Sequence, residues 1–358
     1  MSIPKTMRAL VAYSKDEYRY EKDFPVPKLE AGELLLKMEM CGVCAGDTKA
    51  KHGAAMFWGD GMSPSWVKAP FIPGHEVIGR IVEIAPGYEG DLKLGDRVAV
   101  EQIVPCGKCR FCQDGHYWMC QVHDILGFQG HVNGGMAEYM KIGKNYRVYK
   151  LPEKLTLEKA VLIEPYGCAK HAVDRGNITQ EDVVVISGAG PLGIGMTTYA
   201  HMKNPKCLVV LDLKDDRLDI AKKAGADVVM NPANVDVDAE IKKMTDGYGC
   251  DVYIEATGHP KSVKQGLNMI RKLGTFVEFS VFGAETTVDW SIIGDRKELN
   301  LFGSHLSPYA FPPVIDWLAE GKLYADGVVS HIFNLDDWED AFATNDKGDH
   351  SLKVVLVP

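Results

Sequence analysis

Two textures of apolar and polar residues divide the chain. Over the first 150 residues, apolar positions come in short alternating runs, such as residues 33–40 and 97–102, broken by Gly and Pro. A period of two predicts short strands joined by loops, hence a β-rich unit. The texture changes after Leu151-Pro152. From Asp182 onward, continuous apolar runs at 183–186, 208–211, 228–230, 252–254 and 276–279 alternate with helical patterns near 193–201, 215–224, 238–245 and 261–272. Strands that are apolar throughout and alternate with helices predict a parallel, doubly wound sheet. After about Gly303 the pattern is mixed again. The simplest α/β assembly is a β-rich domain over 1–153, a dinucleotide-type domain over 154–303, and a tail over 304–358 that returns to the first domain.

Composition narrows the classes. The chain has 358 residues, 46% of them hydrophobic and 25% charged, enough for two cores. A net charge of −9 argues against a nucleic-acid partner, which needs a clustered basic face. No apolar stretch approaches the ~20 residues that cross a bilayer, so no membrane role is expected. The opening Met-Ser-Ile-Pro-Lys has no apolar signal core, which makes a cytoplasmic protein the expectation. In a reducing compartment its nine cysteines are expected as metal ligands or buried thiols rather than disulfides.

The run 183–187 leads into Gly188-Ala189-Gly190-Pro191-Leu192-Gly193, followed by an apolar helical pattern. Gly188 permits a tight turn, Gly190 lets backbone approach a pyrophosphate, and Gly193 allows close helix–strand packing. The helix N-terminus would hold the phosphates, and Leu192 belongs to the same cofactor-contacting turn. Alone the glycine pattern is weak; its place between strand and helix strengthens it. Asp212 ends the next strand, where a carboxylate would accept hydrogen bonds from the 2′-hydroxyl of NAD and repel the 2′-phosphate of NADP. Arg217 complicates this, since it could support a phosphate or lie on the adenine face. NAD is the expected cofactor.

Cys106, Cys109, Cys112 and Cys120 follow one another with two, two and seven intervening residues. Four thiolates so closely spaced can surround one tetrahedral ion with no open position, a structural zinc site. Lys108 and Arg110 would offset its negative charge. Disulfides and an iron–sulfur cluster are the competing readings.

Five stretches together carry a family resemblance: Gly42-Val43-Cys44-Ala45-Gly46-Asp47, Gly74-His75-Glu76-Val77-Ile78-Gly79, the cysteine lobe, Glu164-Pro165, and the glycine turn with Asp212. Over essentially its whole length the chain resembles the zinc-containing medium-chain alcohol and polyol dehydrogenases. The resemblance implies a GroES-like catalytic domain over 1–153 and 304–358 and a Rossmann NAD-binding domain over 154–303. A catalytic zinc needs about three protein ligands and an open position; Cys44, His75, Glu76 and Glu164 are the candidates. By resemblance the ligand is Cys44 rather than Cys41. Polyol dehydrogenases of the family carry Glu164 where other members carry a third cysteine, and both glutamates stay open as ligands. Asp47 resembles the acid that orients the zinc-bound histidine. In such a site zinc lowers the pKa of the substrate hydroxyl and the nicotinamide takes the hydride.

One departure concerns the proton. Gly46 replaces the Ser or Thr that many relatives carry as a relay, and His52 either resembles the relay histidine of some of them or is an exposed loop residue. The loop 54–73, with Phe57, Trp58, Asp60 and Trp66, would border the substrate, and Asp60 and Glu101 could bond extra hydroxyls; loop packing or a subunit contact is the alternative. Glu164 and this loop resemble dehydrogenases of erythritol, threitol and related polyols. The implied reaction is oxidation of a secondary hydroxyl of a small polyol, with L-threonine or another amino alcohol or diol as the alternative. A non-catalytic NAD-sensing or partner-binding protein is the rival of another class. About two zinc ions per chain are expected, one structural and one catalytic. Cys41, Cys168, Cys207 and Cys250 are expected as buried thiols, and Trp290, Trp317 and Trp338 as core. The resemblance also implies a homodimer or homotetramer, with 299–303 as an interface strand.

Overall fold

The computed structural model describes residues 3–358, so Met1 and Ser2 of the opening segment lie outside the described residues. A hairpin of β1 (Thr6–Ser14) and β2 (Glu17–Pro25) comes first. There follow β3 (Leu34–Val43), α1 (Ala45–Lys51), α2 (Ala55–Trp58), β4 (Glu76–Ile84), β5 (Arg97–Val100) and the short β6 (Ile103–Val104). Next come α3 (Arg110–Gln113), β7 (Asp124–Ile125), β8 (Tyr139–Ile142), β9 (Val148–Lys150), α4 (Leu157–Ala160) and α5 (Ile163–Arg175). A strand–helix alternation continues through β10 (Val183–Ser187), α6 (Pro191–Met202), β11 (Cys207–Leu211), α7 (Asp215–Lys223) and β12 (Val228–Met230). It ends with α8 (Val237–Met244), β13 (Cys250–Glu255), α9 (Pro260–Met269), β14 (Ile270–Glu278) and β15 (Asn300–Gly303). The chain closes on α10 (Phe311–Ala319), β16 (Val329–Asn334), α11 (Trp338–Lys347) and β17 (Lys353–Val357).

Contacts divide these elements into two units. One comprises the chain up to Glu164 with Phe311–Glu320 and Ala325–Pro358; the other comprises Pro165–Ala310 with Gly321–Tyr324. The first boundary falls later than 153 because α4 and the first residues of α5 stay with the first unit, while 304–310 and 321–324 of the expected returning tail go with the second.

The first unit is built on a sheet ordered β16-β17-β3-β4-β5-β9, with β8 also paired to β3. Its middle strand β3 is buried on both faces apart from Lys37 and Glu39, so alternation is lost in Leu34-Leu35-Leu36, where the sheet is covered on both sides. One core cluster joins Leu34, Leu36, Val77 and Val98 to Trp338 and Val354. Register matters more than composition here. Gly42 pairs with Glu76 across β3 and β4, while Val43 pairs with Val354 of β17. The end of β3, the start of β4 and the start of β17 therefore meet at one edge of the sheet.

The second unit is a six-stranded parallel sheet ordered β12-β11-β10-β13-β14-β15. All five residues of β10 are buried, as a central strand covered on both faces requires. Strand order reverses between β10 and β13, which leaves a crevice at the carboxyl ends of the strands. The helix expected to run to 272 stops at Met269, because Ile270 enters β14 and pairs with Cys250.

Trp338 is buried and Trp317 partly so, but Trp290 is 71% exposed, against its expected place in the core. Cys41, Cys168 and Cys250 are buried; Cys207 is only partly buried. None of the nine cysteines forms a disulfide. Among the described residues no helix is long and apolar enough to cross a membrane.

Candidate active site

Cys44 is the N-cap of α1. Its Sγ accepts a hydrogen bond from the Gly46 N–H at 3.4 Å, and Asp47 Oδ2 accepts from the Cys44 N–H at 2.9 Å. This reciprocal box fixes the sulfur at a helix start, where N–H groups favour a thiolate. The other Asp47 oxygen lies 3.4 Å from His75 Nδ1, and among the described residues no other polar group meets either atom. Nδ1 thus faces the acid, which leaves Nε2 on the other side of the ring. Burial alone would lower the His75 pKa, yet the Asp47 and Cys44 charges hold it well above its usual value.

Cys44, His75 and Glu76 offer donor atoms that all lie within 4.8 Å of one another. A thiolate, an imidazole and a carboxylate in that compass suit a zinc ion with an open position. Glu76 is buried; one of its oxygens accepts from Lys353 Nζ, while Oε2 has no partner. Lys353 is itself only 3% exposed and also donates to the Val43 carbonyl at 3.0 Å. Burial would lower the Lys353 pKa, but the Glu76 and Cys44 charges raise it. Gly42 makes the pair possible, since a Cβ there would fall 1.7 Å from Glu76 Oε2. Glu164, buried at the start of α5, accepts from Gln102 Nε2 at 2.7 Å and is not one of the clustered three. Sequence reasoning missed Lys353 and Gln102. A lysine opening the apolar run 353–357 was the one available signal.

Aromatic rings flank the cluster. The Phe128 ring is 5.6 Å from the His75 ring, Phe57 stacks on Phe128 at 5.3 Å, and Trp66 packs on it at 5.1 Å. Phe57 and Trp66 are thus joined to the site through Phe128, a residue the sequence did not single out. Trp58 instead donates to the Ala50 carbonyl and packs on Phe71. A Cβ at Gly46 would meet Cys44 Sγ at 3.8 Å, Phe128 at 3.9 Å and His75 at 4.0 Å, ordinary contacts, so the glycine leaves room for a side chain.

Two expected hydroxyl binders are engaged elsewhere. Glu101 accepts from Tyr117 Oη, Arg147 Nε and Tyr149 Oη at 2.7–2.9 Å, a buried knot within the unit. Asp60 Oδ1 accepts the N–H groups of Met62 and Ser63 and shapes an exposed turn. His52 is the C-cap of α1, about 12 Å along the helix axis from Cys44. Its ring is 59% exposed and its Nε2 lies 2.6 Å from Asp346 Oδ2.

The four sulfurs of Cys106, Cys109, Cys112 and Cys120 also lie within 4.8 Å of one another. Backbone N–H groups point at them: Cys106 to Cys120 Sγ at 3.3 Å, Cys109 to Cys106 Sγ and Gln121 to Cys109 Sγ at 3.4 Å. Those from Gln121 and Cys112 pull the Cys109 thiol down to about 6. Four sulfurs facing inward with backbone donors behind them fit a closed zinc site.

In the second unit, β10 runs through Gly188 (φ +111°) to Gly190, the N-cap of α6. A Cβ on Gly193 would sit 1.9 Å from the Gly188 carbonyl oxygen, so the helix can pack only with glycine there. Leu192 is partly buried in the first turn of α6. Asp212 Oδ2 accepts the Ala189 N–H at 2.7 Å and Oδ1 the Lys214 N–H at 2.9 Å, which sets the acid against the glycine turn. Arg217 is close too: its Nη1 lies 3.9 Å from where a Gly190 Cβ would be.

Residues 30–153 match the alcohol dehydrogenase GroES-like domain and residues 191–320 the zinc-binding dehydrogenase family. The erythritol/L-threitol dehydrogenase of Mycolicibacterium smegmatis is 44% identical over 99% of both chains. The L-threonine 3-dehydrogenase of Pyrococcus horikoshii is 36% identical over 88% of this chain and 89% of that one. Among solved structures, an Escherichia coli alcohol dehydrogenase complexed with NADH is similar at a TM-score of 0.85 and 29% identity, covering 98% of this chain and 99% of that one.

Proposed function

The chain belongs to the zinc-containing medium-chain alcohol and polyol dehydrogenases, and from that premise we propose that it oxidises a secondary hydroxyl of a small polyol, a tetritol first, with NAD as acceptor. The clustering of Cys44, His75 and Glu76 beside the Phe128 ring carries this reading. When bound, zinc supplies a Lewis acid that lowers the pKa of an alcohol, and the nicotinamide supplies the hydride acceptor.

Cys44, His75 and Glu76 would hold the catalytic ion, with Glu164 and Gln102 beside them as an exchangeable carboxylate and its hydrogen-bond donor. Asp47 holds the proton on His75 Nδ1 so that Nε2 stays a donor to metal. Lys353 neutralises Glu76 from behind. Phe128, Phe57 and Trp66 exclude water from one side. With no hydroxyl on Gly46, the alcohol proton leaves through solvent, and His52 with Asp346 is its outlet at the far end of α1. The cysteine lobe would hold the second, structural zinc.

Asp212 supports NAD over NADP, with Gly188, Gly190, Leu192 and Gly193 cradling the pyrophosphate. The place of Arg217 beside Gly190 favours NADP as the second reading. The outer edge of β15 is unpaired within the unit and its Leu301 is exposed, which supports association of two copies there. Purified protein offered NAD or NADP with tetritols, pentitols, hexitols, butanediols and L-threonine tests the substrate and cofactor together. Fastest reduction of NAD by a tetritol is expected. A preference for L-threonine would overturn the polyol reading, and inertness toward the whole panel would favour a binding protein.

A further inference from the structure

Glycines lie on more than one side of the donor cluster, and they are there for different reasons. At Gly42 a Cβ would fall 1.7 Å from Glu76 Oε2. At Gly74, the residue before His75, it would fall 2.6 Å from Cys41 Sγ, on a backbone with φ +95°. Packing admits nothing larger at either position. Gly46 is under no such demand. It is the second residue of α1, its φ lies outside the left-handed region, and a Cβ there would make only ordinary contacts. In a helix glycine costs stability relative to alanine, so α1 gains nothing from it. What glycine supplies at 46 is space.

That space has a defined place. A Cβ on Gly46 would touch Cys44 Sγ, Phe128 Cζ and His75 Cε1, so it would stand between two of the three clustered donors and the aromatic ring. Glu76 is met from elsewhere, by the backbone at Gly42 and by the buried Lys353. Cys44 and Gly46 are themselves partly exposed. A hydroxyl oxygen on an ion held by these donors sits about 2 Å from the ion. Its carbinol carbon must then fit, with every substituent, at van der Waals distance from the ligating side chains. A primary alcohol brings one carbon arm to that carbon, and a secondary alcohol brings two. We propose that Gly46 is a specificity-determining residue of this site, leaving against Cys44, His75 and Phe128 the room that the second arm of a secondary alcohol occupies. A side chain at 46 puts a carbon in the place of that arm and turns the site toward primary alcohols. This role rests on the alcohol-dehydrogenase reading given above.

The test compares wild-type protein with Gly46→Ala and Gly46→Ser in two assays, with zinc content and Tm measured on each protein. In turnover, kcat/KM for a tetritol and for 2-butanol is set against that for 1-butanol. Gly46→Ala should lower the secondary-to-primary ratio about ten- to a hundredfold, the worth of one carbon in a pocket, and Gly46→Ser should lower it as well. In binding without turnover, calorimetry with imidazole and 2-methylimidazole reads the same room, because the methyl stands beside the ligating nitrogen as an arm stands beside the carbinol oxygen. Gly46→Ala should weaken 2-methylimidazole about tenfold or more relative to imidazole. A ratio that stays within about twofold of wild type in either assay would overturn the role of Gly46 alone. Loss of zinc or a lowered Tm in Gly46→Ala would mean a structural role and overturn it too. So would Gly46→Ser turning over the tetritol faster than wild type, which would assign the position to proton transfer. Wild-type protein that reduces neither NAD nor NADP with any of these alcohols would overturn the dehydrogenase reading and the role of Gly46 with it.

Discussion

The two metal-donor clusters of the first unit are built in opposite ways. The sulfurs of Cys106, Cys109, Cys112 and Cys120 come from one stretch of fifteen residues (120 − 106 + 1), and a single loop with one turn of α3 brings them together. Cys44, His75 and Glu76 come from the end of β3 and the start of β4, with Lys353 from the start of β17 completing the set. The local cluster brings its four sulfurs within 4.8 Å of one another, with backbone N–H groups as their donors. The dispersed cluster is met by Asp47 and Lys353 and flanked by Phe128. Closure suits a strut; an open side suits chemistry.

That contrast can be broken by experiment. Cys44→Ser should cut turnover by about 10³-fold or more while leaving the lobe's metal in place. The check is kcat alongside zinc content, which should fall from two ions per chain to one under the scheme above. Loss of both ions would mean that the clusters are not independent.

Cys109→Ser should act the other way, lowering Tm by roughly 10 °C as the lobe's metal is lost, with kcat of the still-folded fraction within about threefold of wild type. A thermal melt with kcat measured well below Tm decides it, and a collapse of kcat without a change in Tm would reverse the assignment of roles.

Lys353→Met sharpens the comparison, because it leaves the Glu76 carboxylate buried without its cation. We expect a loss of about 3 kcal/mol in denaturant unfolding, largely restored in the double variant Lys353→Met/Glu76→Gln. An additive double variant would show that the pair is not coupled. The smallest effect belongs to His52→Ala, since the ring is exposed and bound to Asp346. Turnover should fall by about threefold at most, with a shift in its pH profile. An unchanged profile would remove His52 from the proton path.

Legibility in the sequence followed this division. The lobe was readable because donor spacing alone brings its ligands together. The glycine turn was readable because strand, turn and helix are consecutive. Cys44, His75 and Glu76 were recognisable only through short motifs that resemble a family, and their assembly rests on the pairing of Gly42 with Glu76. Lys353 carried almost no signal, because its partner lies 277 positions away along the chain. Glu101 was misjudged for the same reason: its three donors, Tyr117, Arg147 and Tyr149, are spread over separate segments. Trp290 shows the converse error, since hydrophobicity alone does not say whether a loop residue is covered.

The sequence by itself determined the two textures, the parallel sheet with its glycine turn, the cysteine lobe and the family, all of them set by local spacing and period. Only the tertiary structure decided that Glu76 sits with Cys44 and His75, that Lys353 backs it and that Phe128 walls the site. All but the Phe128 contact, made from the loop between β7 and β8, depend on strand register. Register is settled by the joint packing of distant segments, and no window of neighbouring residues contains it.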